Sequence, residues 1–122
     1  MIRIKRAYDQ PSRADGARVL VDRLWPRGCT KESLDLTAWM KTVTPSSDLR
    51  KAFHSGALTF DEFSERYQKE LTLPEAREGL DELTALARKG TLTFITANKD
   101  EARNHAVLLK AALEVHLKKG KP

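Results

Sequence analysis

Ala17-Arg18-Val19-Leu20-Val21-Asp22-Arg23-Leu24-Trp25, residues 17–25, is the stretch that decides the fold class. Its centre, Val19-Leu20-Val21, is an uninterrupted apolar run of the kind found in strands covered on both faces. Pro26 and Gly28 stop it. Residues 91–97, Thr-Leu-Thr-Phe-Ile-Thr-Ala, are β-branched and apolar and read as a second buried strand. Helical patterns separate the two runs, and two covered strands joined by a helical crossover favour parallel pairing. Residues 2–8, Ile-Arg-Ile-Lys-Arg-Ala-Tyr, alternate apolar and basic and read as a half-exposed edge strand of either direction. The expectation is an α/β fold: a small helix-rich domain over residues 1–122, with about three strands, a parallel central pair and about five helices.

The helices announce themselves by caps and periods. Thr30 precedes Leu34, Leu36, Trp39 and Met40, and Thr44-Pro45 reads as a cap with proline at the first helical position. Thr59-x-x-Glu62 and Thr72-x-x-Glu75 have the form of capping boxes. Asn98-x-x-Glu101 is read as the cap of a long last helix with Ala102, Ala106, Leu109, Leu113 and Leu117 on its core face. Residues 119–122 read as a frayed basic tail.

The chain has 122 residues, 40% hydrophobic and 32% charged. A chain of this size buries about two-thirds of its unfolded surface, enough for a core without staples. Composition therefore excludes global disorder, and a mean hydropathy of −0.53 with no long apolar run excludes a membrane protein. The single cysteine forbids an internal disulfide, and the start, Met-Ile-Arg-Ile-Lys-Arg, has no signal-peptide core. The expected location is the cytoplasm.

The net charge of +5 is unevenly spread. Residues 1–31 hold eight basic residues, six of them arginine, against three aspartates. Guanidinium forks match phosphate and carboxylate oxygens, so an anionic partner is one reading of this quarter; solvated strand and loop edges are the other.

Ligands of open α/β sheets bind beyond the carboxyl ends of the strands. That rule selects the segments Asp22–Gly28 and Ala97–Asp100. From them come the candidate binding residues Arg23, Trp25, Arg27, Asn98, Lys99 and Asp100, and Asp22 as a group to move a proton; His105, on the flank of the last helix, is the second proton-moving candidate. Asp22 lies at the end of an apolar strand, where an unpaired carboxylate is costly, so it is expected to pair with Arg23 or Arg27. Arg27 stands between a stiff Pro26 and a permissive Gly28, which would present its side chain over a cleft. The last helix is expected to offer free N–H groups to an anion.

Standard catalytic templates are missing. Cys29 lacks the arginine six positions on that a cysteine phosphatase loop supplies, since Asp35 stands there. No phosphate loop, dinucleotide fingerprint or nucleophile elbow occurs. His54, His105 and His116 lack metal-ligand spacing with a carboxylate. Neither a metal nor a cofactor is expected.

At these same segments the chain resembles the YeaO-like family of uncharacterised bacterial proteins, a domain of unknown function. The likeness is carried by Val19-Leu20-Val21-Asp22-Arg23-Leu24-Trp25-Pro26-Arg27-Gly28, by Thr30-Lys31, Leu34-Asp35, Trp39, Pro45-Ser46, Leu49-Arg50, Phe63 and Tyr67, and by Ala97-Asn98-Lys99-Asp100 and Asn104-His105-Ala106. It implies an α/β fold, a bacterial cytoplasm and no established reaction. Family members more often carry an aliphatic residue at Cys29, and longer relatives read Cys-His-Arg where this chain has Asn104-His105-Ala106.

Three functions compete at this point. The first is a site for a small anionic molecule, as enzyme or binder. The second is a structural or interaction module. The third, less favoured, is a nucleic-acid-associated protein using Arg3, Arg6, Arg13 and Arg18. Convergence of arginines in one concave pocket separates the first from the third. No membrane partner is expected, and oligomeric state stays open.

Overall fold

A computed structural model describes residues 1–119. Four strands, β1 (Ile2–Arg6), β2 (Ala17–Leu20), β3 (Ala38–Trp39) and β4 (Leu92–Thr96), form one sheet in the order β1-β4-β2-β3. Every pairing is parallel, with Val19 opposite Phe94 and Leu20 opposite Ile95. The expected parallel pair is β2 and β4, and β1 is an edge strand that runs the same way. The helices are α1 (Lys31–Leu34), α2 (Ser47–His54), α3 (Phe60–Glu70), α4 (Pro74–Lys89) and α5 (His105–Lys119).

Alternation along β2 and β4 divides the core in two. Val19, Val21, Leu92 and Phe94 face the larger cluster, built with Phe63 and Tyr67 of α3, Leu80 and Leu83 of α4, and Leu109 and Leu113 of α5. Leu20 and Ile95 face the other way, against Ala7 and Leu34. Both central strands are thus covered on both faces, which is why they read as apolar runs.

Four local expectations are corrected. The helical reading of Leu34–Met40 fails because Asp35 adopts a left-handed conformation (φ 46°) and ends α1 after four residues. The chain then returns to the sheet, and the N–H groups of Thr37 and Met40 donate to Arg18 and Leu20, adding β3 as a fourth strand. The last helix begins at His105, and Asn98 does not cap it. Asn98 and Asp100 instead bind the backbone two or three residues ahead (Asp100, Ala102 and Arg103), and such Asx turns compete with helix. Asn104 caps α5 by accepting from the Val107 N–H, and Ala102, expected in the core, is exposed. Helix α2 is capped by Ser46 rather than Thr44. Pro74 at the first turn of α4 replaces the expected Thr72 box. The boxes at Thr30 and Thr59 are formed. Of the tail, Lys119 closes α5, and residues 120–122 lie outside the described residues.

Candidate functional site

Because β2 and β4 are parallel, the chain leaves both at the same rim of the sheet. Asp22 follows β2, and Ala97 follows β4. The Asp22 carboxylate joins the two exits: it accepts from the Thr96 hydroxyl and the Ala97 N–H, each at 2.7 Å, and lies 3.1 Å from His105 Nε2. The expected ion pair with Arg23 or Arg27 does not form among the described residues; the partner is instead the ring of His105, brought in by the start of α5. Arg23 turns away, and its Nε–H donates to the Pro45 carbonyl at 3.0 Å. Burial opposes the charge on Asp22, but the His105 ring, the Ala97 N–H and the Thr96 hydroxyl outweigh it and hold the carboxyl below its ordinary value.

His105 Nε2 also lies 2.8 Å from the Val21 carbonyl. A carbonyl and a carboxylate are both acceptors, so Nε2 must carry the hydrogen. Nδ1 makes no hydrogen bond among the described residues. The two side chains are 15% and 14% exposed, the degree expected of groups at the bottom of a cleft.

That cleft is a cavity of about 390 Å³. Asp22, Arg23, Leu24, Asn98 and Lys99 line it from the strand exits, and His105 from the start of α5. The rest of the lining comes from Pro45, from Arg50, Phe53 and His54 of α2, and from Phe63 of α3. Positions 50, 53 and 54 share one face of a helix by the three- and four-residue rule. Arg23, Arg50 and Lys99 form no ion pair among the described residues, and Arg50 Nε is buried without a hydrogen-bond partner. The residues from α2 and α3 are the part the sequence analysis missed. The spacing on α2 was readable, but nothing local in the sequence says which helix folds over the rim.

Of the eight candidates, five line this cavity: Asp22, Arg23, Asn98, Lys99 and His105. Trp25, Arg27 and Asp100 do not. Trp25 donates its indole N–H to the Cys29 carbonyl and packs edge-on against Trp39. Arg27 is exposed in the Pro26–Cys29 turn, where its carbonyl accepts from the Tyr8 hydroxyl. The Asp100 carboxylate accepts from the N–H groups of Arg103 and Ala102, which lower its pKa.

Of the alternative arginine set, Arg3 and Arg13 are exposed and Arg6 is half-buried, but Arg18 is buried. Arg18 is 3% exposed and paired with Asp15, which is 1% exposed and also holds Lys5. A wider groove of about 690 Å³ adjoins the cleft across Arg23, but Glu70 and Glu75 line it. Among the described residues no group of three or more His, Cys, Asp or Glu side chains is placed to hold a metal ion, and no helix is long and apolar enough to cross a membrane.

Comparison with known proteins fits this geometry into a family. A family described as the inactive DUF488-N3 subclade matches residues 1–121. The chain belongs to that subclade. This DUF488-N3 chain is 45% identical over 108 residues to the uncharacterized protein YeaO of Escherichia coli (strain K12), covering 88% of this chain and 92% of that protein. It is 41% identical over 112 residues to uncharacterized proteins of Mycobacterium bovis (strain ATCC BAA-935 / AF2122/97) and Mycobacterium tuberculosis (strain ATCC 25618 / H37Rv), covering 92% of each partner. The YeaO likeness read from the motifs therefore holds over most of the DUF488-N3 chain. No solved structure matches it significantly.

Proposed function

We propose that this protein is a cytoplasmic binder of a small anionic molecule, held in the cleft at the carboxyl ends of β2 and β4. One observation carries the reading: Arg23, Arg50 and Lys99 converge on one cavity without a carboxylate partner among the described residues. The carboxylate beside them, Asp22, is occupied by Thr96, Ala97 and His105. Its charge is therefore spent within the protein, and that of the three cations is not. Arg23 and Arg50 are half-buried, and half-buried cations without counter-charge are costly; an anionic guest removes that cost, with the exposed Lys99 adding its charge at the edge.

Binding without turnover is the better account of the same residues. The lining carries no hydroxyl or thiol nucleophile, and Cys29 lies outside it. The family's description as inactive agrees. Asp22 positions His105 rather than reacting. The burial of Arg18 weighs against the nucleic-acid reading, which needed it on the surface.

The test is thermal denaturation of the wild type and of Arg50→Ala against inorganic phosphate, phosphate monoesters and dicarboxylates. A ligand at 100 times its Kd should stabilise the wild type by about 2.7 kcal/mol, and Arg50→Ala should lose most of that gain. The reading is overturned if no anion stabilises the wild type more than Arg50→Ala.

A further inference from the structure

The cleft has more room, and a different lining, than a lone inorganic anion requires. A water molecule takes roughly 30 Å³ of liquid, so a cavity of about 390 Å³ exceeds the need of one inorganic anion several-fold. Its size falls instead in the range of pockets that enclose whole small molecules, about 300–1,000 Å³.

The lining is divided by chemistry. The cations Arg23 and Lys99 come from the strand exits, and Arg50 from the first half of α2. The apolar part is Phe53, Phe63, Leu24 and Pro45. Phe53 and Phe63 are stacked, with ring centroids 4.4 Å apart and planes inclined by 19°. Phe53 is only half-buried although it belongs to this stack, so part of its ring remains available to the cavity. Leu24 is 61% exposed at the mouth, an apolar side chain that a guest would cover.

Charge narrows the class further. Three permanent cations face one carboxylate already engaged by His105, which leaves at least two positive charges uncompensated. A phosphate monoester carries about −1.5 to −2 at neutral pH and three acceptor oxygens, enough to meet two guanidinium forks and an ammonium group at once. A monocarboxylate supplies one charge and two oxygens.

Resting on the anion-binding reading, we infer that the ligand is an aromatic phosphate monoester, its phosphate on Arg23, Arg50 and Lys99 and its ring against the exposed part of Phe53, which the buried Phe63 backs. The phosphate is the anchor, and the ring supplies the selectivity over inorganic phosphate. No bond is made or broken in this step.

Calorimetric titration with phenyl phosphate, inorganic phosphate and benzoate tests it. Phenyl phosphate should bind the wild type at least tenfold more tightly than either other probe. Phe53→Ala should cut its advantage over phosphate below threefold while leaving the Kd for phosphate within threefold; Phe53→Leu replaces it if the alanine variant does not fold. Arg50→Ala should weaken both phosphate compounds at least tenfold. Equal affinity for phenyl phosphate and phosphate, or tighter binding of benzoate, overturns the ligand class and leaves the anion site standing. Failure of all three probes to bind the wild type overturns the ligand class too. If the wider anion panel fails as well, the site itself falls.

Discussion

Replacing Asp22 with alanine should destabilise the protein by about 3 kcal/mol. The carboxylate accepts two hydrogen bonds of 2.7 Å, from Thr96 and Ala97, and faces His105 at 3.1 Å. Hydrogen bonds to charged groups contribute roughly 1.5–3 kcal/mol each, which sets a gross loss well above the net one. Removing one partner of a buried pair costs about 3–5 kcal/mol. Because the site is 15% exposed, water can reach some of the orphaned donors, so the lower end of that range applies. With a urea slope near 2 kcal/mol/M, the unfolding midpoint should fall by about 1.5 M with little change in slope. The pH dependence has a definite sign. The folded-state pKa of Asp22 is lowered, so its contribution is present above the unfolded value of about 3.9 and is lost as pH falls through the folded value. The gap between wild type and variant should therefore be fully open well above the carboxylate range and close as the pH drops below about 4. A loss under about 1 kcal/mol at neutral pH, or a gap that widens in acid, would refute the account of Asp22 as the joint between the strand exits and α5.

Two other substitutions separate structure from site. Gly16→Ala should cost at least about 2 kcal/mol, because Gly16 sits at φ +62° and an added Cβ would lie 2.1 Å from the Thr91 carbonyl oxygen, which also accepts from the Ala17 N–H; a change within 0.5 kcal/mol in urea unfolding would be incompatible with that contact. Cys29→Ser should change stability by less than about 1 kcal/mol and leave phenyl phosphate affinity unaltered, since the thiol is only half-buried and lies outside the cleft; loss of binding in that variant would put the thiol back into the site.

Much of this fold is legible in the sequence, for a physical reason that also marks where legibility ends. Strands β2 and β4 are buried on both faces, so their apolar runs are strong signals, and their parallel pairing follows from the helical crossover. β3 has two residues, too few for any periodicity, and it forms because Asp35 ends α1 and returns the chain to the edge of β2. The segment 98–104 misleads for a related reason: Asn98, Asp100 and Asn104 are all capping residue types, and only the last caps the helix. The cleft divides in the same way. Asp22, Arg23, Asn98, Lys99 and His105 were reachable because strand exits and the residues just beyond them are local features. Arg50, Phe53 and Phe63 were not, because their place in the wall depends on how α2 and α3 pack across the sheet.

The failed expectation about Asp22 is what gives the site its character. A carboxylate at the end of β2 needs a partner, and two arginines, Arg23 and Arg27, follow it within five residues. Had either satisfied it, the rim would hold a closed ion pair and little capacity for a guest. Instead α5 delivers His105 to within 3.1 Å, the exit of β4 supplies an N–H and a hydroxyl, and the carboxylate is saturated without any arginine. Among the described residues Arg23 is then held through its Nε on the Pro45 carbonyl alone, with the rest of its guanidinium uncommitted to any of them. Arg50 and Lys99 add to an excess of positive charge that the protein does not neutralise among the described residues. The unmet electrostatic need at the rim therefore lies with the cations and not with the acid.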